Sequence, residues 1–538
     1  MPRLAAIASW ASVATLVIAA IYASYVHAAA PLNLPDDAYI TYRYVENTVH
    51  GRAPVYNEGE KVFGVSTPLY WLWLVALKLI LPGVGLPALA SRGNAVLLLA
   101  AAGLAFIFLR RLGLGITTSA LAAATILVAD EILRESIGGM ECSLFMALVF
   151  GTCLAILDRR DVLALWLASF AALARPEGSL LLPVVFAAWL LDSKRKDGTL
   201  KLLSGLAPLI AWTIAATLYY GTPVPHSILA KARPLYPAPP GQAIKAAFVT
   251  MGRWSLDGAL LLWQAIHKTS LERVFRSISL ETLYTAAVVI IAAWALFRWW
   301  KLIPGGAPAR KLALPIFLVL LLAFYAASNP QMMPWYYPTL QAGWLVVVIG
   351  AAFAPGTSSR PGKVVCGLMA SLVLGTTIWI AAAKAASPDY NLVRQGSILP
   401  DREAMMGAYA RAADWIGRNS SVTDTVAAGE IGMLGYSLDR RILDSCGLVT
   451  PEALPFNPVP VEQRGQETVV INVDFIKATR PNFVVSLAAF VDPSLLRSSW
   501  FLSAYELAHQ ETLQGLGPRF RAVFVFRLKA PASAALPP

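Results

Sequence analysis

Residues 92–130 read RGNAVLLLAAAGLAFIFLRRLGLGITTSALAAATILVAD. Two apolar runs, 92–109 and 115–130, flank Arg110 and Arg111, and each approaches the roughly 20 residues a bilayer-crossing helix needs. A paired cation in a tight junction between two such runs is the pattern of a membrane hairpin, because Arg and Lys hold a short loop on the cytoplasmic side. Outward from this hairpin, further runs lie at about 5–26, 141–157, 162–174, 178–191, 201–218, 283–300, 312–327, 334–354 and 364–384. From an inside N-terminus marked by Arg3, the cytoplasmic ends receive Arg110 and Arg111, Arg159 and Arg160, Lys194 to Lys196, Arg298 with Lys301, Arg310 and Lys311, and Arg360 with Lys363. Every basic cluster then falls on one side, and the chain reads as a polytopic α-helical membrane protein with about 11 transmembrane helices.

Composition agrees with that pattern. Of 538 residues, 57% are hydrophobic and only 14% charged, against roughly a quarter charged in soluble domains, which excludes a cytosolic enzyme, a disordered chain and a nucleic-acid binder. The net charge of +12 is concentrated in residues 1–384, with 30 Lys/Arg against 17 Asp/Glu, whereas 385–538 carry 14 against 15. The basic excess therefore belongs to membrane topology rather than to an acidic polymer partner. Cys142, Cys153, Cys366 and Cys446 form no disulfide framework.

The odd span count puts the larger connections outside: loops at 28–91 and 219–281, and a C-terminal domain at 385–538. Residues 1–384 are then the transmembrane domain that carries these loops. The N-terminal run ends in HAAA, which resembles a signal-peptidase site, and its cleavage stays open. Pro68 to Leu81, with Tyr70, Trp71 and Trp73, suits an interfacial helix rather than a twelfth span. The tail reads as a small α/β domain, with a helix near Asp401–Asn419 and β-rich runs at Thr425–Ala428, Arg441–Val449, Asn482–Leu487 and Arg521–Leu528.

Chemistry concentrates on the outer face. In Leu34-Pro-Asp-Asp-Ala-Tyr-Ile-Thr-Tyr-Arg-Tyr, Pro35 can start a helix on which Asp36, Tyr39 and Arg43 share one face. Asp36 and Asp37 either cap that helix or include a tuned general base; adjacent carboxylates repel, and a base accounts better for that cost. Glu141 opens the fourth span, and Arg175 and Glu177 join the fifth to the sixth, either as an ion pair at a turn or as a substrate contact. Trp335, Tyr336 and Tyr337 precede the tenth span, as an aromatic belt or as substrate contacts. The loop after the seventh span carries Tyr219, Tyr220, His226 and Lys231, a solvated basic loop or a phosphate site. No Gly-rich phosphate loop, HExxH or CxxC is present, and the five histidines have no metal-ligand spacing.

The motif Asp36-Asp-Ala-Tyr-Ile-Thr-Tyr-Arg-Tyr44, followed by Gly51-Arg-Ala-Pro-Val-Tyr-Asn-Glu-Gly59 and Gly64-Val-Ser-Thr-Pro-Leu-Tyr70, resembles the first exoplasmic loop of GT-C membrane glycosyltransferases. It is most similar to bacterial cell-wall arabinofuranosyltransferases that use decaprenyl-phosphate arabinose. Counterparts of later motifs follow in order: Gly139-Met-Glu141, Ala174-Arg-Pro-Glu-Gly178, Pro225-His-Ser-Ile-Leu-Ala-Lys231, Pro334-Trp-Tyr-Tyr337 and, in the tail, Gly429-Glu-Ile-Gly-Met-Leu-Gly435 with Ile442-Leu-Asp444 and Gly447-Leu-Val. His226 stands where relatives often carry Asn, and Glu430 where Asp is common.

The resemblance implies an inner-membrane enzyme with a periplasmic active site and tail. Its expected reaction is inverting transfer of one sugar, arabinofuranose, from a polyprenyl-phosphate donor to a hydroxyl of a cell-envelope glycan or glycolipid. Asp36, or else Asp37, is the expected base. Arg43, Tyr39, His226 and Lys231 are expected to hold the donor phosphate, and Glu141, Arg175, Glu177, Trp335, Tyr336, Tyr337 and Glu430 to contact substrate. No sequence signature requires a cofactor and no residue is assigned to a metal, while binding of a divalent metal stays open. Two alternatives stand beside this: a mannosyl or other aldosyl transferase of the same class, with a glycan, lipid or protein acceptor, and a transporter or flippase of lipid-linked saccharides. The second needs ionisable groups along a midplane path, where the spans are nearly free of charge.

Overall fold

The computed structural model describes residues 2–29, 34–192, 198–232, 239–251, 280–300, 308–353, 402–464 and 470–530. The chain divides into two compact units, one of Met1–Pro31, Ala90–Ala211 and Ala238–Gly396, the other of Leu32–Leu89, Trp212–Pro237 and Ser397–Pro538. Packing thus groups residues 32–89 with the tail, where the linear division at residue 384 groups them with the apolar helices.

The first unit is helical. Each of the ten apolar runs that lie in the described residues forms a helix, continuous or interrupted by a 3-10 turn or, at Ala129, by one extended residue. Ser9–Ala29, Leu86–Arg111 and Thr199–Tyr220 are long and apolar enough to cross a membrane, and Ile116–Val128 with Glu131–Ile137 could make a fourth span bent by 54°. The other apolar helices have 10–17 residues, so eleven full spans are not established. The run 364–384 and the clusters Lys194–Lys196, Lys301, Arg360 and Lys363 lie outside the described residues.

The junctions between helices gather in two sets. Arg310 donates to both Asp161 oxygens at 2.6 and 2.9 Å, to Asp192 at 2.7 Å and to the Ile156 carbonyl at 2.8 Å. Arg159 reaches Asp192 at 3.4 Å, and Arg111 reaches Asp158 at 3.7 Å. Helix Asp161–Ala174 leads from this set to a second one around Arg175, and helix Leu181–Leu190 returns from Arg175 towards Asp192. Helix Cys142–Leu157 likewise runs from Glu141 to Arg159. Basic clusters separated by 40 to 200 residues therefore meet at one set of junctions, as their one-sided placement in the sequence requires.

The second unit is built around a five-stranded mixed sheet. Strands β1 (Thr425–Ala428), β2 (Arg441–Asp444), β3 (Phe483–Leu487), β4 (Tyr505–Thr512) and β5 (Ala522–Leu528) lie in the order β2-β1-β3-β5-β4. The first three are parallel, with Val426 opposite both Ile442 and Phe483, and β5 pairs antiparallel with β3 and β4. Val484, Phe475, Ile471, Phe501 and Phe526 fill one core cluster. Helix Arg402–Asn419 buries Met405, Tyr409, Ala412 and Ile416, one face at spacings of 3 and 4. The expected strand at Arg441–Val449 ends at Asp444, because Asp444 turns its carboxylate back onto the amides of Cys446, Leu448 and Val449 at 2.8, 2.5 and 3.1 Å.

The buried ion cluster gives a test of the first unit. Arg310 and Asp161 are 2% and 1% exposed, so Arg310→Leu strands two carboxylates and should cost about 3–5 kcal/mol. Thermal unfolding in detergent should show a large loss in Arg310→Leu and partial recovery in Arg310→Leu/Asp161→Asn.

Candidate active site

In the second unit, residues from the two ends of the sequence meet. Pro35, at the N-cap position, opens helix Asp36–Val49, and the two acidic residues of its first turn suit the positive end of its dipole. The face carrying Asp36, Tyr39 and Arg43 lies on the short tail helix Gly432–Ser437. Asp36 accepts from the Gly432 and Met433 amides at 2.7 and 2.8 Å, one to each carboxylate oxygen. Tyr39 packs on Tyr436 with ring centres 5.4 Å apart. Arg43 donates to the carbonyls of Gly435, Leu438 and Arg440 at 2.6, 3.2 and 2.8 Å.

The approach is close enough to require glycine. A Cβ on Gly432 would lie 1.8 Å from the Asp36 carbonyl oxygen, and one on Gly435 would lie 1.9 Å from the Tyr56 hydroxyl. The rest of the first loop docks by side chains that imitate backbone. Tyr56 donates to the Ile431 carbonyl at 2.6 Å, and Asn57 exchanges a pair of hydrogen bonds with Ile442 at 2.9 and 3.0 Å. Asn57 thereby satisfies the outer edge of β2, which as an edge strand would otherwise expose unpaired groups.

Arg43 therefore does not fit the phosphate-holding role expected of it. Its Nε bonds the Tyr56 carbonyl at 2.7 Å, its guanidinium lies 4.4 Å from the Tyr56 ring centre, and it is buried. Tyr39 is likewise buried, among Tyr42 and Tyr436.

Carboxyl groups gather where β1 and β2 end. Burial pushes Asp36 up to about 6, against the pull of its two amide donors and with a further push from Asp37 and Asp444. Glu430, two residues past the end of β1, is pushed up to about 8 by burial and by the charge of Asp36; the Tyr409 hydroxyl that donates to it acts in the other direction. Tyr409 in turn accepts from the Leu487 amide of β3 at 3.1 Å. Asp444 is raised to about 6 by burial, against its backbone donors. Asp37 is half-buried one residue from Asp36. Among the described residues no three His, Cys, Asp or Glu side chains converge as a metal-binding set.

The loop after the seventh run joins the same unit. Phe63 stacks on Tyr220 at 4.9 Å, Tyr220 donates to the Pro54 carbonyl at 2.7 Å, and the His226 amide donates to the Phe63 carbonyl at 2.6 Å. Burial holds the His226 imidazole below its usual range, opposed by Glu452 and by the Gly447 carbonyl. His226 Nε2 and Ser227 Oγ are buried with no hydrogen-bond partner among the described residues. Lys231 lies in the last turn of the helix His226–Ala232.

The remaining expected residues lie together in the first unit. Arg175 bridges Glu141 at 2.8 Å and Glu177 at 3.1 Å, donates to the Trp335 carbonyl at 3.0 Å and stands 4.9 Å over the Tyr336 ring. All three charged groups are buried, so the ion pair at a turn is realised as a triad. Tyr337 donates to the Met332 carbonyl at 3.5 Å. Sequence reasoning missed Tyr409, the Gly432 and Met433 amides and the docking role of Asn57. The signal for the amides was present in the glycine spacing Gly429, Gly432, Gly435.

A family model described as a domain of unknown function (DUF8728) matches residues 398–526. No curated protein sequence matches the chain. Among solved structures, ArnT from Cupriavidus metallidurans bound to undecaprenyl phosphate is 14% identical with a TM-score of 0.56, over 97% of this chain and 98% of its own. The Archaeoglobus fulgidus oligosaccharyltransferase in the apo form is 13% identical with a TM-score of 0.52, over 89% and 69%. The oligosaccharyltransferase AglB of Archaeoglobus fulgidus, in complex with an inhibitory peptide and a dolichol-phosphate, is 13% identical with a TM-score of 0.50, over 98% and 75%. The chain thus shares its fold with these structures over most of its length.

Gly432→Ala should disrupt the docking of the first loop on the tail, at a cost of at least the about 1–3 kcal/mol typical of overpacking. Gly417→Ala is the control, since its Cβ meets only Leu438 Cδ1 at an ordinary 3.8 Å and alanine favours the helix by up to about 1 kcal/mol. Limited proteolysis of the purified protein should cut the tail faster in the first variant and not in the second.

Proposed function

We propose that this protein is a membrane glycosyltransferase that moves one sugar from a polyprenyl phosphate to a hydroxyl of an envelope glycan or glycolipid, with Asp36 as the base. The observation that carries this is the setting of Asp36. Two backbone amides fix its carboxylate, and burial places its titration near the operating pH, where a base is both largely ionised and still basic. The fold, shared over nearly the full length with ArnT, which is bound to undecaprenyl phosphate, supports the donor class.

In this mechanism Asp36 takes the proton of the acceptor hydroxyl. The acceptor oxygen forms its bond to the anomeric carbon from the face opposite the leaving group. The bond from that carbon to the phosphate oxygen breaks, and its electron pair leaves with the polyprenyl phosphate, so the configuration inverts. His226 Nε2, with its unused hydrogen-bonding capacity, and Lys231 are assigned to the leaving phosphate, where charge accumulates. Arg43 is left out because its guanidinium is taken by carbonyls. Arabinofuranose is the sugar favoured by the first-loop motif, and the inner membrane with a periplasmic site is the matching location. Mass spectrometry of the copurifying lipid tests the sugar directly.

Asp36→Asn should lower transfer by about 10²–10⁴-fold, the usual worth of general-base catalysis, while binding of polyprenyl phosphate changes far less; the unfolding temperature should also fall, since the amide keeps an acceptor for only one of the Gly432 and Met433 N–H groups. Asp37→Asn should lower it less. Because the protonated form of Asp36 cannot act, kcat/KM should fall with decreasing pH below about 6. Wild-type rates in both variants would refute the assignment; loss in Asp37→Asn alone would exchange the two roles.

A further inference from the structure

The mechanism above uses Asp36 and leaves a second acidic group beside it without a role. Glu430 lies two residues past the end of β1 and precedes by two residues the Gly432 amide that holds Asp36. It is half-buried, and its carboxylate is held by the Tyr409 hydroxyl from helix Arg402–Asn419. The ionisable groups that act on it or feel it are Asp36 and Asp37 of the first loop, Tyr409, and Cys446 of the loop after β2. Among the described residues, none of the groups that act on Glu430 is a cation. A site for an anionic phosphate donor that already holds one carboxylate is poorly served by another charge of the same sign.

We propose that Glu430, supplied by the tail, is a positioning residue that carries a proton beside Asp36, so that this pair holds one negative charge while donor and acceptor bind. This rests on the assignment of Asp36 as the base. In the neutral form Glu430 is a hydrogen-bond donor as well as an acceptor, and it leaves Asp36 as the sole anion of the pair. When Glu430 loses its proton, the second charge repels the donor phosphate and kcat/KM falls. The titration of Glu430 near 8 and of Asp36 near 6 define the window in which one is neutral and the other ionised. The tail is then part of the reacting site, as well as the support of its base.

The test is the pH profile of kcat/KM for the full-length protein in detergent with a polyprenyl-phosphate sugar. Wild type should lose about tenfold between pH 7 and pH 9, the drop set by one group titrating near 8. Glu430→Gln, which cannot ionise, should abolish that alkaline drop whatever its rate at pH 7. Tyr409→Phe supplies a second, signed readout: its hydroxyl favours the ionised form of Glu430, so its removal should move the alkaline limb to higher pH. An alkaline limb unchanged in both variants overturns the proposal, and so does an unmoved limb in Tyr409→Phe should Glu430→Gln fail to fold. The two levels separate cleanly. Wild-type transfer by Asp36→Asn defeats the base assignment, whereas an impaired Asp36→Asn beside an unchanged limb in Glu430→Gln defeats only the role of Glu430.

Discussion

Asp36 and Arg43 grip opposite ends of one short helix, Gly432–Ser437, and the rest of the second unit is arranged around that grip. The carboxylate takes the amides at the helix start, where the dipole is positive, and the guanidinium takes the carbonyls at and beyond its end, where it is negative. Seven positions, two helical turns, separate the two side chains, which lets one face of helix Asp36–Val49 span its partner. The groups joined are 396 positions apart in the chain, so each such contact closes a very long loop and must be strong to hold. Charge-assisted hydrogen bonds meet that requirement better than neutral ones.

The same grip gives one residue two duties. Asp36 ties the first loop to the tail and is the proposed base, and the tail amides that anchor it also restrain its titration against burial. Anchoring and catalysis are compatible because each carboxylate oxygen keeps a second lone pair when it accepts one amide. Glycine at 432 and 435 is the steric condition for both duties, since any side chain there would collide with Asp36 or Tyr56.

Much of this was legible in the sequence, and the limits were physical. Apolar runs of near-spanning length announced the helices, and the one-sided cations announced which junctions meet, as Arg111, Arg159 and Arg310 do through their aspartates. The tail strands β1, β3 and β5 were visible because their residues are buried in continuous runs, whereas β4, YELAHQET, is a polar edge strand with no apolar signal. Period 3.6 correctly put Asp36, Tyr39 and Arg43 on one face, but periodicity cannot say what the face meets. Arg43 looked like a phosphate ligand because its partners are backbone carbonyls, which leave no trace in side-chain chemistry. Glu141, Arg175 and Glu177 had the opposite character: oppositely charged side chains near apolar spans must find one another when buried, and they do.

The account stands on Asp36 touching the acceptor. An experimental structure of the protein with a polyprenyl-phosphate sugar and an acceptor hydroxyl trapped by Asp36→Asn measures that contact directly. The account predicts the acceptor oxygen within about 2.6–3.2 Å of the residue 36 side chain, the reach a general base requires, with the donor phosphate on the far side of the anomeric carbon. An acceptor oxygen held by a different carboxylate, with residue 36 still facing only the Gly432 and Met433 amides, would contradict it.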